Sequence, residues 1–214
     1  MSRYPVRFSQ WLFGLAVIFV TASAADDRPP DPAISSVPNL AVQACVTCHG
    51  PGGNSQAGAI PSIAGLPREY LRQVLRSYRY GGRFSTIMGR LVQAYSDEQL
   101  DLLADHFSQQ PFKRHKQRVD WDRAHEGRQL HRLYCRECHG DVNRNPKPGS
   151  PRLNGRWMDY IRWTLQDYLL GISQADAEMS DALARLVRRH GEQGLESLIQ
   201  YYGSARPPAA PAAE

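Results

Sequence analysis

Two short runs in the chain carry recognisable chemistry: Cys45-Val-Thr-Cys48-His49 and Cys135-Arg-Glu-Cys138-His139. In each, two thiols stand one helical turn apart and can add across the two vinyl groups on one edge of a porphyrin. The histidine that follows directly is then held against the iron as its proximal ligand. The pattern is the attachment signature of a c-type haem. Its double occurrence predicts two covalently bound haem c groups, one on Cys45 and Cys48 with His49, one on Cys135 and Cys138 with His139. These runs hold all four cysteines, so none remains for a disulfide. Two Cys-x-x-Cys pairs could also form a zinc ribbon. Such a site needs no histidine after each second cysteine, and the gap between the pairs is far longer than ribbons use. A thioredoxin-like redox motif would rarely occur twice with histidine following both times.

Each iron then needs a sixth ligand. Met88 lies 39 residues after His49, and Met179 lies 40 after His139. A buried methionine is more often gap-filling core than a ligand, but the paired spacing singles out Met88 and Met179. Met158 has no counterpart in the first half and reads as packing. A thioether is a soft ligand that favours ferrous iron, so His/Met ligation raises the reduction potential and leaves six-coordinate, closed irons that pass electrons. Pro61 and Pro151 each follow the proximal histidine by twelve residues. Their carbonyls are placed to accept the Nδ1–H of His49 and His139, which would fix each ring and tune its basicity.

These groups must be positioned by helices. Asn39 to Cys48 reads as a short helix delivering the first motif, with Asn39 as its N-cap, and Gly50-Pro51-Gly52-Gly53-Asn54 as the turn that ends it. Pro67 to Tyr80 is the clearest helix of this half. Pro67 suits a first turn, Tyr70, Leu71, Val74, Leu75 and Tyr78 form one apolar stripe, and Gly81-Gly82 stops it. Ser96 to Phe107 is another, opened by a Ser96/Gln99 capping box, with Leu100, Leu103 and Phe107 on one face.

The arrangement returns ninety residues later. That shift carries Cys45, Cys48, His49 and Gly50 onto Cys135, Cys138, His139 and Gly140. It also carries Pro61 onto Pro151, Gly65 onto Gly155, Tyr70 onto Tyr160, Tyr78 onto Tyr168 and Gly81 onto Gly171. The expected organisation is all-α: a first haem domain at 25–110, a linker at 111–119 and a second haem domain at 120–206, related by an approximate internal two-fold. Each domain is too small for a comfortable polypeptide core, so haem must supply much of the buried apolar surface. The stripes then read as haem-packing core without individual roles.

The ends look different. Arg3 and Arg7 precede an apolar run from Trp11 to Val20, and Ala22-Ser23-Ala24 offers small residues for cleavage. This predicts a secretory signal peptide over 1–24, cut near Ala24, and export to the periplasm or a comparable compartment. The run is about half the length of a membrane span, so no span is expected once it is removed. Cleavage lowers the formal charge of the 214-residue chain from +5 to about +3. Asp26 to Pro38 reads as an extended lead-in, and 207–214 as a disordered Pro/Ala tail.

Tandem Cys-x-x-Cys-His domains with Pro-x-(Ile/Leu)-x-Gly loops and late methionines resemble the two-haem class I cytochromes of the c-four type. Within that family the chain is most similar to the dihaem subunit of flavocytochrome c sulfide dehydrogenase. The stretches that carry this are Ser85-Thr-Ile-Met-Gly-Arg90 with Tyr95-Ser96, Leu130-His131 with Tyr134-Cys135, and Gly191-Glu-Gln-Gly-Leu195. The resemblance implies two tandem class I cytochrome c domains, with Met88 on the first haem and Met179 on the second. It also implies a separate FAD-bearing flavoprotein partner that oxidises sulfide, and a soluble acceptor such as a small cytochrome. The chain would not be catalytic alone. A free dihaem cytochrome feeding a terminal oxidase is the alternative, and a dihaem peroxidase would need one iron left open. The chain departs from the pattern at Ser173 to Ser180, around Met179, and at His106, where a general dihaem carrier more often has an aromatic residue.

No Gly-x-Gly-x-x-Gly is present, so any flavin belongs to the partner. Lys113, Arg114, Lys116 and Arg118 crowd the linker and read as solvated, with steering of an acidic redox partner as the functional option. Nucleic-acid binding has no supporting motif. His115, His125, His131 and His190 read as surface or interface residues.

Overall fold

The computed structural model describes residues 39–141 and 144–204. The expected signal peptide, lead-in and tail lie outside the described residues, as does the capping side chain of Asn39. The described helices are α1 (Asn39–His49), α2 (Arg68–Arg79), the single turn α3 (Met88–Leu91), α4 (Asp97–Ser108), α5 (Trp121–Tyr134), the single turn α6 (Arg136–His139), α7 (Met158–Leu169) and α8 (Ala177–Gly203). Among the described residues there is no strand, and the fold is all-α. No described helix is long and apolar enough to cross a membrane.

Local chemistry sets the helix ends. Pro67 sits one residue before α2 rather than inside its first turn, with φ −54° and ψ 134°. Its fixed φ suits either place, but the extended ψ makes it the residue that turns the chain into the helix. Ser96 caps α4 as expected. Its Oγ accepts from the Gln99 N–H, and the Gln99 side chain accepts from the Ser96 N–H. Leu100, Leu103 and Phe107 are all buried beneath.

Two apolar cores form, one per repeat. The first gathers Leu71 of α2 and Leu100, Leu103 and Phe107 of α4 around Ala41 of α1. The second gathers Ile161 and Leu165 of α7 with Leu195, Leu198 and Tyr202 of α8 around Leu130 of α5. Helices α2 and α7 correspond residue for residue at the offset of ninety. Beyond them the frame slips. The Gly65 N–H donates to the Phe107 carbonyl at 2.9 Å, and the Gly155 N–H donates to the Tyr202 carbonyl at 2.7 Å. Phe107 and Tyr202 are therefore counterparts at an offset of ninety-five. The second repeat holds five extra residues between Gly171 and Leu195, taken up in the long α8, which bends at Gly191 (φ 62°). An arginine ties each helix pair: Arg76 to Asp101 at 3.0 Å between α2 and α4, Arg162 to Glu196 at 2.9 Å between α7 and α8.

Helix α5 lies along α8 so closely that a Cβ at Gly127 would collide with the Ser197 carbonyl. The segment between the cores is an ordered strap. The Lys113 N–H donates to Asn54 Oδ1 at 2.7 Å, the His115 N–H to the Gly155 carbonyl at 3.1 Å, and Gln117 Nε2 to the Arg156 carbonyl at 2.9 Å. Lys113, Arg114, Lys116 and Arg118 face solvent while Phe112, His115 and Gln117 alternate inward.

Candidate haem sites

The last residues of α1 place Cys48 and His49 one turn beyond Cys45, and the junction of α5 with α6 does the same for Cys138 and His139 beyond Cys135. His49 Nδ1 lies 2.8 Å from the Pro61 carbonyl, and His139 Nδ1 lies 2.9 Å from the Pro151 carbonyl. A carbonyl only accepts, so each Nδ1 carries the proton and each Nε2 keeps its lone pair. Burial pushes both imidazoles below their ordinary pKa, against the pull of the proline carbonyl. The neutral ring with a free Nε2 is the form that ligates iron.

Cys45 and Met88 both pack against the first core, and Cys135 and Met179 both pack against the second. The two methionines are held alike. The Met88 N–H donates to Ser85 Oγ at 2.9 Å, and the Met179 N–H donates to Asp176 Oδ1 at 2.7 Å. Each is thus the third residue after a side-chain oxygen that accepts from its N–H, at matching offsets of ninety-one. Burial raises the Cys45 and Cys135 thiols to about 11. Among the described residues no three His, Cys, Asp or Glu side chains gather as a metal cluster, and Cys45 and Cys135 pack against different cores. Thiols one turn apart, a neutral histidine oriented by a carbonyl and a thioether on the same apolar core fit haem c at both places. Met158 packs against Gly203 at the edge of the second core, as packing rather than as a counterpart to Met88.

Some side chains take roles the sequence reading did not assign. His131 is buried, not a surface or interface residue. Its Nε2 lies 2.7 Å from the Gly140 carbonyl and its Nδ1 3.0 Å from the Tyr202 hydroxyl. The reason is its place on α5: it follows Leu130 on the face that α8 covers. The partners settle its state, with Nε2–H donating to the carbonyl and Nδ1 accepting from the tyrosine. Burial first of all lowers its pKa to about 4. Tyr202 in turn reaches Cys135. His115 stacks on Trp157 at 4.2 Å between ring centres and pairs with Ser62 Oγ at 2.8 Å. His125 is exposed, and His190 meets the Tyr134 hydroxyl at 3.2 Å. The tyrosines of the stripes have individual partners as well. Arg83 Nη2 donates to the Tyr160 hydroxyl at 3.1 Å, and its guanidinium lies 5.4 and 5.9 Å from the ring centres of Tyr78 and Tyr168. The repetition of Tyr70 and Tyr78 as Tyr160 and Tyr168 was the available signal.

No family model matches the chain. It is 35% identical over 97 residues to the cytochrome subunit of sulfide dehydrogenase of Chlorobaculum tepidum, covering 45% of this chain and 87% of that one. It is 25% identical over 183 residues to a thiosulfate dehydrogenase electron acceptor of Stutzerimonas stutzeri, covering 78% and 81%. Its fold matches the crystal structure of reduced cytochrome c4 from Pseudomonas stutzeri with a TM-score of 0.66 and 26% identity, over 76% of this chain and 94% of that one. The chain belongs to the class I c-type cytochromes, in the group that holds cytochrome c4 and the cytochrome subunit of sulfide dehydrogenase. It is a tandem two-domain member whose activity is electron transfer on covalently bound haem c.

Proposed function

We propose that the chain is the cytochrome subunit of a sulfide-oxidising flavocytochrome c. In this reading it takes electrons from an FAD-bearing flavoprotein subunit and passes them to a soluble acceptor such as a small cytochrome. The observation that carries the reading is the 35% identity to a sulfide dehydrogenase cytochrome subunit across most of that protein. One haem is attached to Cys45 and Cys48 with His49 and Met88 as axial ligands, within a first domain at 25–110. The other is attached to Cys135 and Cys138 with His139 and Met179, within a second domain at 120–206, and 111–119 links them. Haem supplies reversible one-electron storage. The chain's own residues do the rest. Pro61 and Pro151 hold the imidazole rings, Ser85 and Asp176 present the methionines, and the two apolar cores exclude water. Sulfide oxidation itself belongs to the flavoprotein. The mature protein acts in the periplasm after removal of residues 1–24.

A second reading is a free dihaem carrier, delivering electrons to a terminal oxidase or accepting them from thiosulfate oxidation. The similarity to a thiosulfate dehydrogenase electron acceptor over 78% of this chain and 81% of that one favours it. Gentle purification from the native periplasm separates the two. Flavin co-eluting near one per chain, with both haems reduced by sulfide, is the expected result. Two haems without flavin, silent to sulfide and reduced in the presence of thiosulfate and its dehydrogenase, would establish the free carrier instead.

A further inference from the structure

The arginines of α2 and α7 are neutralised by carboxylates. Arg68 pairs with Asp105, Arg72 with Glu69, Arg76 with Asp101, Arg79 with Asp97 and Arg162 with Glu196. Two arginines between the repeats are not. Among the described residues, Arg83 and Arg156 have no carboxylate within ion-pair distance. Arg156 is only 7% exposed and spends its donors on the carbonyls of Ser62 and Arg152. Burial pulls its guanidinium down to about 10, which still leaves it a cation at neutral pH. Arg83 is enclosed by the hydroxyls and rings of Tyr70, Tyr78, Tyr160 and Tyr168. A desolvated cation with neutral partners alone is costly, and proteins hold one where an anion arrives.

The position says which anion. Tyr70 and Tyr78 pack their rings on the first core beside Cys45 and Met88, and Tyr168 packs on the second beside Cys135 and Met179. Their polar ends converge on Arg83. The cluster therefore lies between the two apolar cores against which the haem-site residues pack, with tyrosines seated on each. Each haem c carries two propionate carboxylates, the one anionic group that such a site is sure to receive. The offset of ninety puts the buried Ser173 opposite Arg83, so the second repeat has no matching cation and a single guanidinium serves both sides.

We propose that Arg83, seated in its four-tyrosine cage and backed by Arg156, is the shared counter-ion for propionates of both haems and couples their reduction potentials. This rests on the two-haem reading. A cation near a haem disfavours the ferric state, which carries the extra positive charge. Losing the cation therefore lowers the potential of every haem it serves.

The test uses the purified holoprotein in native, Arg83→Gln, Arg83→Lys and Arg185→Gln forms, titrated by spectroelectrochemistry. The Arg185 side chain is exposed and paired with Asp181, so its variant reports on general surface charge. Arg83→Gln is expected to lower both midpoint potentials, Arg83→Lys to lower them less, and Arg185→Gln to leave both in place. If Arg83→Gln fails to assemble, resonance Raman carries the test, with the propionate bending bands of both haems shifting between the native protein and Arg83→Lys. A fall in one potential only, no fall in either, or unchanged propionate bands would show that Arg83 is domain packing and overturn the proposal. A haem count below two per chain in the native protein appears before any potential is measured, and would overturn the two-haem reading together with this one.

Discussion

The two repeats solve one problem in two ways. After the first motif, the Gly50 carbonyl is satisfied by the chain's own turn, accepting the Gly53 N–H at 2.9 Å. After the second, the Gly140 carbonyl accepts His131 Nε2–H at 2.7 Å, and His131 is held by Tyr202. The first repeat has Ala41 and Phe107 in the places of His131 and Tyr202, both in an apolar core. The Pro51-Gly52-Gly53 turn that serves Gly50 has no equivalent composition after Gly140. In the second repeat a buried side-chain pair serves this carbonyl, at the cost of two polar groups in the core. The second site thereby gains a polar link from the loop of its proximal histidine through His131 to Tyr202, which neighbours Cys135.

The largest break in the comparison comes from Gly127. A methyl there meets the Ser197 backbone, which cannot move aside without parting α5 from α8. Gly127→Ala is expected to destabilise the second repeat by about 3 kcal/mol. Denaturation followed at the second haem should shift to lower denaturant while the first haem keeps its midpoint.

His131 gives the next effect. Replacing it with Ala removes the side-chain donor to the Gly140 carbonyl and the acceptor of the Tyr202 hydroxyl, at about 2 kcal/mol. The native residue also imposes a pH dependence. Its folded pKa of about 4 lies below the ordinary 6.5, so between these values the unfolded chain binds more protons. Its contribution is complete above pH 6.5 and is lost as pH falls toward 4, by on the order of 3 kcal/mol. His131→Gln should flatten the stability profile of the second repeat across that window. The first repeat, with Ala41 at this place, should show no such step from this position.

The smallest effect is on the side-chain oxygens that hold the methionine N–H groups. Ser85→Ala removes the acceptor of the Ile87 and Met88 N–H groups and Asp176→Ala that of the Met179 N–H, and each should cost about 1 kcal/mol in its own repeat. The check is paired thermal unfolding monitored at the two haems.

Much of this arrangement was legible in the chain. The two Cys-x-x-Cys-His runs, the prolines twelve residues on, and helix α2 with its stripe and stop follow from local spacing, where residue type and geometry are directly linked. The offset of ninety located α7 and the counterpart cysteines and histidines. What spacing did not disclose depends on contacts between distant segments. His131 looks like any polar residue on a helix until α8 covers it. Arg83 looks like an ordinary loop cation until tyrosines of both repeats close around it. The slip to ninety-five in α8 is invisible to a single fixed offset. Only the paired hydrogen bonds from Gly65 and Gly155 reveal that Phe107 and Tyr202 correspond.

The central claim is that both sites are closed by a methionine, Met88 in one repeat and Met179 in the other. Carbon monoxide titration of the reduced holoprotein tests it most directly. The account predicts no binding to the native protein, one equivalent for either Met88→Ala or Met179→Ala, and two for the double variant. Binding at the second haem of the native protein, or none in Met179→Ala, would contradict it.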